Sequence, residues 1–242
     1  GGANQSQEHL RQGGLAAARF AHDRDDFALV KCEGHVIDGD RTKTAGCDPD
    51  AEFCDVGVAN DSHDRVTIKG GRVRDFSLGV FIFKARHNRL RGLSIFRNTF
   101  TGIVLGRSAR SVVKRSSASR NGLTTDSPGM LLFESHHNRI AHNTMVGGGD
   151  VGLGMLGSDH NQIVHNSLRR HPLDGIVIDG RFNEIARNRV IRNGGGILIS
   201  KVGNFGPIVG NVVSRNFVRG ARRGGGEVAD LCPSISKPDQ GH

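Results

Sequence analysis

The sequence predicts an all-β chain, a single right-handed parallel β-helix of about seven to eight coils with a short N-terminal capping helix. Three observations carry that prediction. Glycines that open short apolar triplets recur at Gly57, Gly79, Gly102, Gly129, Gly152, Gly175 and Gly196, at spacings of 22, 23, 27, 23, 23 and 21 residues, and a constant period in that range marks a stacked architecture. The triplets, among them Val80-Phe81-Ile82, Ile103-Val104-Leu105, Met130-Leu131-Leu132 and Ile176-Val177-Ile178, are too short and too many for helices. Asparagines also recur in columns, and equivalent amides on coils ~4.8 Å apart hydrogen-bond along the axis as a ladder.

Taken in order, residues 1–26 form an N-terminal cap, with a helix expected from Leu15 to His22 where Leu15-Ala16-Ala17-Ala18-Arg19-Phe20-Ala21 has helix-forming composition. A stacked-strand fold has an open core end, and an apolar helix laid over the first coil closes it. Gly1 stands where a Met would open a full reading frame, so the chain reads as processed, trimmed or tagged. The β-helix spans 27–218. It begins with strands at Phe27-Ala28-Leu29-Val30 and at 35–40, before a loop that runs from Cys47 to Cys54. Cys32, Cys47, Cys54 and Cys232 allow three connectivities. The Cys47–Cys54 spacing suits a local disulfide in an oxidising compartment, with free thiols as the other reading. Residues 219–242 form a C-terminal cap or flexible tail.

Each coil carries a first strand on the triplet, a second with single inward positions (Leu90, Ile140, Ile163, Ile185, Ile208) and a third (Ile95, Met145, Leu168, Val190, Val213). The 27-residue coil holds an insertion around 122–128. Right-handedness follows from the general chirality of parallel connections. The asparagine columns are Asn88, Asn138, Asn161 and Asn183; then Asn143, Asn166, Asn188 and Asn211; then Asn98, Asn121, Asn193 and Asn216. Asparagine also tolerates the left-handed backbone of a tight corner.

A net charge of +9 favours an acidic partner. No segment approaches the ~20 apolar residues of a membrane span. Trp and Tyr are absent and Phe is the one aromatic, with 12 copies, so nucleic acid ranks last among polyanions. Stacking makes residues 21 to 23 apart neighbours, and the columns left after the coil-building residues are subtracted are the functional candidates. Arg91, Lys114, His142, His165 and Arg187 read as one basic stripe about 20 Å long that would bind substrate. Arg97, Arg120, Arg170, Arg192 and Arg215 read as a second, and guanidinium forks match evenly spaced carboxylates. Asp150 and Asp174 fall on adjacent rungs of one corner, where they would cap turns, bind Ca²⁺ or act as a carboxylate pair in glycoside hydrolysis. With His171 and Asp179 they form the candidate catalytic set. His142 and His165 as a copper or zinc pair lack a third ligand in the sequence. The middle residues of the first strands, Phe81, Val104, Leu131, Gly154, Val177 and Leu198, face outward and point to a covering segment or a second protomer.

The repeat written as Gly175-Ile176-Val177-Ile178 followed by Phe182-Asn183-Glu184-Ile185-Ala186-Arg187-Asn188, preceded by Gly34-His35-Val36-Ile37-Asp38-Gly39, resembles the bacterial right-handed parallel β-helix repeat family of the pectate-lyase-like superfamily. That superfamily includes secreted polysaccharide lyases, glycosidases and mannuronan epimerases. The chain also resembles the periplasmic copper-processing accessory protein of nitrous oxide reductase. The resemblance implies a secreted or periplasmic protein that binds or processes an acidic polysaccharide, with a non-catalytic copper-accessory or adhesin role as the alternative. The epimerase cluster Asp-Pro-His-Asp has its nearest counterpart in Asp48-Pro49-Asp50, without the histidine, and the Asp25-Asp26 doublet precedes the repeats.

Overall fold

The computed structural model describes residues 36–38, 56–123, 127–221 and 228–230. Successive short strands stack in parallel into three sheets, and no helix occurs among the described residues. The first sheet has eight strands, running from Val56–Asp61 through Leu78–Phe83, Ile103–Gly106, Met130–Phe133, Leu153–Leu156, Ile176–Ile178 and Ile197–Ile199 to Val228–Asp230. The second has seven, from Thr67–Lys69 to Val212–Ser214, and the third has eight, from Val36–Asp38 to Phe217–Arg219. The expected helix at 15–22, the strand at 27–30 and the Cys47–Cys54 bridge lie outside the described residues.

The repeat builds this stack because each short strand of the second and third sheets, three to five residues long, turns one apolar side chain inward. Leu90, Val113, Ile140, Ile163 and Ile185 come from the second sheet and Ile95, Ala118, Met145, Leu168 and Val190 from the third, and all join one core with the first-sheet aliphatics. Full burial of an aliphatic of this size stabilises by roughly 1.5–3 kcal/mol. The glycines that open the coils are fixed by a close approach between turns. A Cβ on Gly79 would stand 2.5 Å from the Gly102 carbonyl oxygen, and one on Gly152 would stand 2.6 Å from that of Gly175.

The asparagines form ladders. The Asn138 backbone N–H and side-chain amide both donate to Asn161 Oδ1, at 2.9 and 3.2 Å, and Asn161 Nδ2 donates back to the Ser135 carbonyl at 2.9 Å. Asn143, Asn166 and Asn188 repeat the arrangement one corner further on. Where asparagine is missing, Ser111 and Ser116 take the rung, their backbone N–H groups donating to Asn138 and Asn143.

The last coil departs from the expected register. Ile185 pairs with Val213 and Val190 with Val218, so the inward positions are Val213 and Val218 rather than Ile208 and Val213. The asparagines move with them. Asn183 donates to Asn211 and Asn188 to Asn216, which places Asn211 in the first column and Asn216 in the second. The physical reason is extra chain after Ile197–Ile199, which stretches the ladder step to 28 residues while the hydrogen bonds stay at 2.9 Å.

The outward face of the first sheet is already covered. Phe81, Leu131 and Val177 have no exposed surface, and they pack with Val151, Leu156, Leu173 and Val202, against which Phe100 and Phe205 also lie. The expectation of a second protomer on this face loses its ground, because the chain itself buries the apolar surface that motivated it.

Candidate functional site

The second sheet is framed by two corners, and each corner residue has a left-handed backbone. On the entry side stand His137, His160 and Phe182, with φ of 57°, 56° and 54°. On the exit side stand Arg115, His142, His165, Arg187 and Arg215, with φ between 52° and 57°. Each precedes a ladder residue, so a buried side chain anchors the backbone immediately behind an exposed one. The His142 and His165 rings stack at 4.9 Å with 6° between planes. His137 and His160 stack at 4.9 Å and 10°, and the column continues from His160 onto Phe182 at 5.1 Å and 18°. The same two turns therefore carry two parallel imidazole pairs, one at each edge of the second sheet.

Behind the entry-side pair lies a charged chain. Asp159 accepts hydrogen bonds from Arg181 Nη2 at 2.7 Å and Nε at 3.1 Å, and its own backbone N–H donates to His136 Nδ1 at 3.1 Å. Burial pushes the Asp159 carboxyl up, but the Arg181 hydrogen bonds outweigh it and hold the group below the usual carboxylate range. Burial lowers His136 below an ordinary imidazole, so its neutral form is favoured.

The expected basic stripe divides into two columns. Lys114 pairs with Arg91 and Ala141, and Ala141 with Val164, so Arg91 and Lys114 occupy the last strand position. His142, His165 and Arg187 stand one residue later on the corner, where Arg115 and Arg215 share their column: Arg115 N–H donates to the Ala141 carbonyl and Arg187 N–H to that of Ser214. Arg97, Arg120, Arg170 and Arg192 do share the corner that follows the third sheet. Arg97 is ion-paired there with Asp75 at 2.7 Å.

The candidate catalytic residues are mostly buried, Asp179 beneath the segment that covers the outer face of the first sheet. Asp150 and Asp174 are on adjacent turns of one corner: the Asp150 carbonyl accepts from Leu173 N–H at 3.2 Å and the Asp174 carbonyl from Gly152 N–H at 3.1 Å. Asp150, His171 and Asp179 are 0%, 2% and 1% exposed, so none of the three reaches a polymer outside the wall. Asp179 Oδ2 accepts the backbone N–H groups of Val202 at 2.8 Å and Gly203 at 2.7 Å, which fixes the turn after Ile197–Ile199. Burial raises its carboxyl above the ordinary value, against those two hydrogen bonds. His171 occupies the rung between Gly148 and Asn193, its backbone N–H donating to Asn193 Oδ1 at 3.0 Å. Burial lowers its imidazole to about 4, opposed by the Met145 carbonyl, and neither ring nitrogen makes a hydrogen bond of normal geometry.

Sequence reasoning missed the entry-side column. The signal was present, since His137, His160 and Phe182 each directly precede an asparagine of the first column.

A family model described as NosD, periplasmic copper-binding protein, matches residues 34–227. No curated protein matches the chain. Among solved structures the chain is similar to the periplasmic alginate epimerase AlgG T265N mutant, at 16% identity and a TM-score of 0.47 over 65% of this chain and 41% of that one. It is also similar to the Dettilon tailspike protein, at 16% identity and 0.47 over 67% and 34% of the two chains. An alginate lyase from Paenibacillus sp. str. FPU-7 is 10% identical, with a TM-score of 0.38 over 81% and 78%. The chain thus spans less than half the length of the first two, and no inference about activity rests on any of the three.

Proposed function

We propose, from the premise that this chain belongs to the NosD family of periplasmic copper-binding proteins, that it is a non-catalytic periplasmic β-helix that holds copper(I) as cargo on its paired corner histidines. The periplasm is in keeping with the secreted or periplasmic location expected from the sequence. The observation that carries the proposal is the two exposed imidazole pairs, each with ring centroids 4.9 Å apart, on the same two turns. Among the described residues no three His, Cys, Asp or Glu side chains converge as a metal-binding group, so the closed tetrahedral set that structural zinc takes is not offered there. A pair of imidazoles is the available donor set. Imidazole suits copper. Stacked rings direct their lone pairs along parallel planes, so the rings of a pair turn about their side-chain torsions to bring both nitrogens onto one ion, which then stays open to a third donor from another protein.

The test is a competition titration with Cu(I) under reducing conditions against a chromophoric chelator. Wild type is expected to take up one equivalent per pair. His142→Asn with His165→Asn should lose one, and adding His137→Asn with His160→Asn should lose both. Asparagine is the replacement because it tolerates the left-handed corner. Uptake unchanged in the fourfold variant would sink the proposal.

A second reading is the binding of an acidic polysaccharide. It is favoured by the outward positions of the third sheet and its corner, which are rich in arginine. Binding is preferred to processing because Asp150, His171 and Asp179 are enclosed. No helix of the described residues is long and apolar enough to cross a membrane.

A further inference from the structure

We propose that a groove on the outer face of the third sheet, at its C-terminal end, is the binding site for a polyuronate chain. This rests on the second reading above and gives it a place distinct from the histidine corners. The groove encloses about 540 Å³ and is walled chiefly by Arg169, Arg170, Arg189, Arg192, Arg219 and Phe217. None of the five arginines makes an ion pair with a described carboxylate. Arg97, Arg107 and Arg181 are each paired within 2.8 Å, and what sets the groove apart from other unpaired arginines is that five forks line one recess. Five guanidinium groups held together with no ion-paired carboxylate among the described residues repel one another, and a bound polyanion removes that repulsion.

The arrangement of the forks points to a linear anion. Arg170 and Arg192 occupy one corner column on adjacent turns. Arg169 and Arg219 share a strand column with Ile191 between them, and Arg189 stands one turn before Phe217. Turns repeat every ~4.8 Å along the axis, so the forks form a lattice that runs along the solenoid. A polyuronate carries one carboxylate on every sugar in a line, and carboxylates are met bidentately by guanidinium forks. Phe217 is 51% exposed and has the Arg189 guanidinium over its ring at 5.5 Å. That places an apolar face beside a cation, the combination that a sugar ring with a carboxylate presents in complement. A nucleic acid would ask for several aromatic platforms, and the groove offers one. A lipid surface would ask for a broad raised patch, and these arginines line a recess.

The experiment measures fluorescence anisotropy of labelled oligogalacturonate with the full chain at low salt. Wild type should bind, with affinity falling as salt rises. Arg169→Gln/Arg189→Gln/Arg219→Gln should bind at least about tenfold more weakly. The control is Arg65→Asn/Arg86→Gln/Arg110→Asn, which carries the same net charge, 9 − 3 = +6, and should stay within about twofold of wild type. All six are exposed, so both triples should keep the wild-type far-UV spectrum and melting temperature. Equal binding by wild type and the groove triple overturns the groove while leaving the polysaccharide reading standing, and so does an equal loss in both triples. No binding by wild type sinks that reading and the groove together. Single-stranded DNA or anionic phospholipid vesicles bound as tightly at equal charge concentration overturns the choice of a polyuronate.

Discussion

Acidification should destabilise this protein through one buried group, and a single substitution should remove that contribution. His171 is buried on a rung whose column carries Asn98, Asn121 and Asn193 on other turns and Gly148 on the turn before it, and burial lowers its imidazole from 6.5 to about 4. Above pH 6.5 the group is neutral in both states and contributes nothing to the pH dependence. As pH falls below 6.5 the unfolded chain binds the proton first, so folding stability declines until about pH 4, where the folded state is protonated too. Moving the titration from 6.5 to about 4, at about 1.4 kcal/mol for each pH unit, makes the loss about 3 kcal/mol. For a domain of this size that corresponds to about 6–12 °C in melting temperature. Urea unfolding followed by far-UV circular dichroism, at steps from pH 7.5 to pH 3.5, should show that loss in wild type. His171→Asn restores the ladder residue, whose amide does not titrate, and should flatten the profile by the same amount whatever it does to stability at pH 7.5. If the two profiles fall in parallel between pH 6.5 and pH 4, the burial argument for His171 is wrong.

Three further outcomes follow from the same geometry. Asn166→Ala removes the acceptor of the Asn143 backbone N–H and the donor to the Ile140 carbonyl; with both groups buried, thermal unfolding should show a loss of about 3 kcal/mol. Gly152→Ala drives a Cβ to 2.6 Å from the Gly175 carbonyl oxygen and 2.8 Å from Leu168 Cδ2, and because backbone cannot step aside the cost should reach about 2–3 kcal/mol by chemical denaturation. Asp179→Ala strands the Val202 and Gly203 N–H groups and should cost about 2–4 kcal/mol. Asp179→Asn should cost less, and in a pH series it should remove a slope of opposite sign to that of His171. A carboxyl raised by burial is destabilising as pH climbs past its unfolded value, so the asparagine variant gains relative to wild type on going from pH 3.5 to pH 6.

The architecture was legible because it rests on identity at a fixed interval. Gly152 and Gly175 recur since each must let the next turn's carbonyl pass, and Ile140, Ile163 and Ile185 recur since each fills the same slot. Column membership was legible only where the interval held. Beyond Ile199 the extra residues shift Val213 and Asn211 by one strand, and nothing local in 200–211 announces that shift, because Ile208 and Val209 are as apolar as the residues that take the slots. The candidate site was harder to read for a related reason. Arg91 and His142 differ by one residue in register, and one residue turns a side chain from a sheet face to a corner. Burial was beyond the sequence altogether: His171 and Asp179 are polar by composition and enclosed by packing.

The ladders hold their hydrogen bonds near 2.9 Å whether the chain between rungs is 22, 27 or 28 residues long. One turn takes up surplus sequence between Asn121 and Gly129 and another between Ile199 and Val212, and the strands on either side pair across both without losing a rung. Corners of this kind are splice points. A loop carrying a new recognition sequence can be grafted into the wall there at little cost to the core, whereas one residue lost inside a strand would misalign every rung that follows. The fold therefore gives selection, or a designer, a display frame in which surface specificity can be rewritten independently of the spine that carries it.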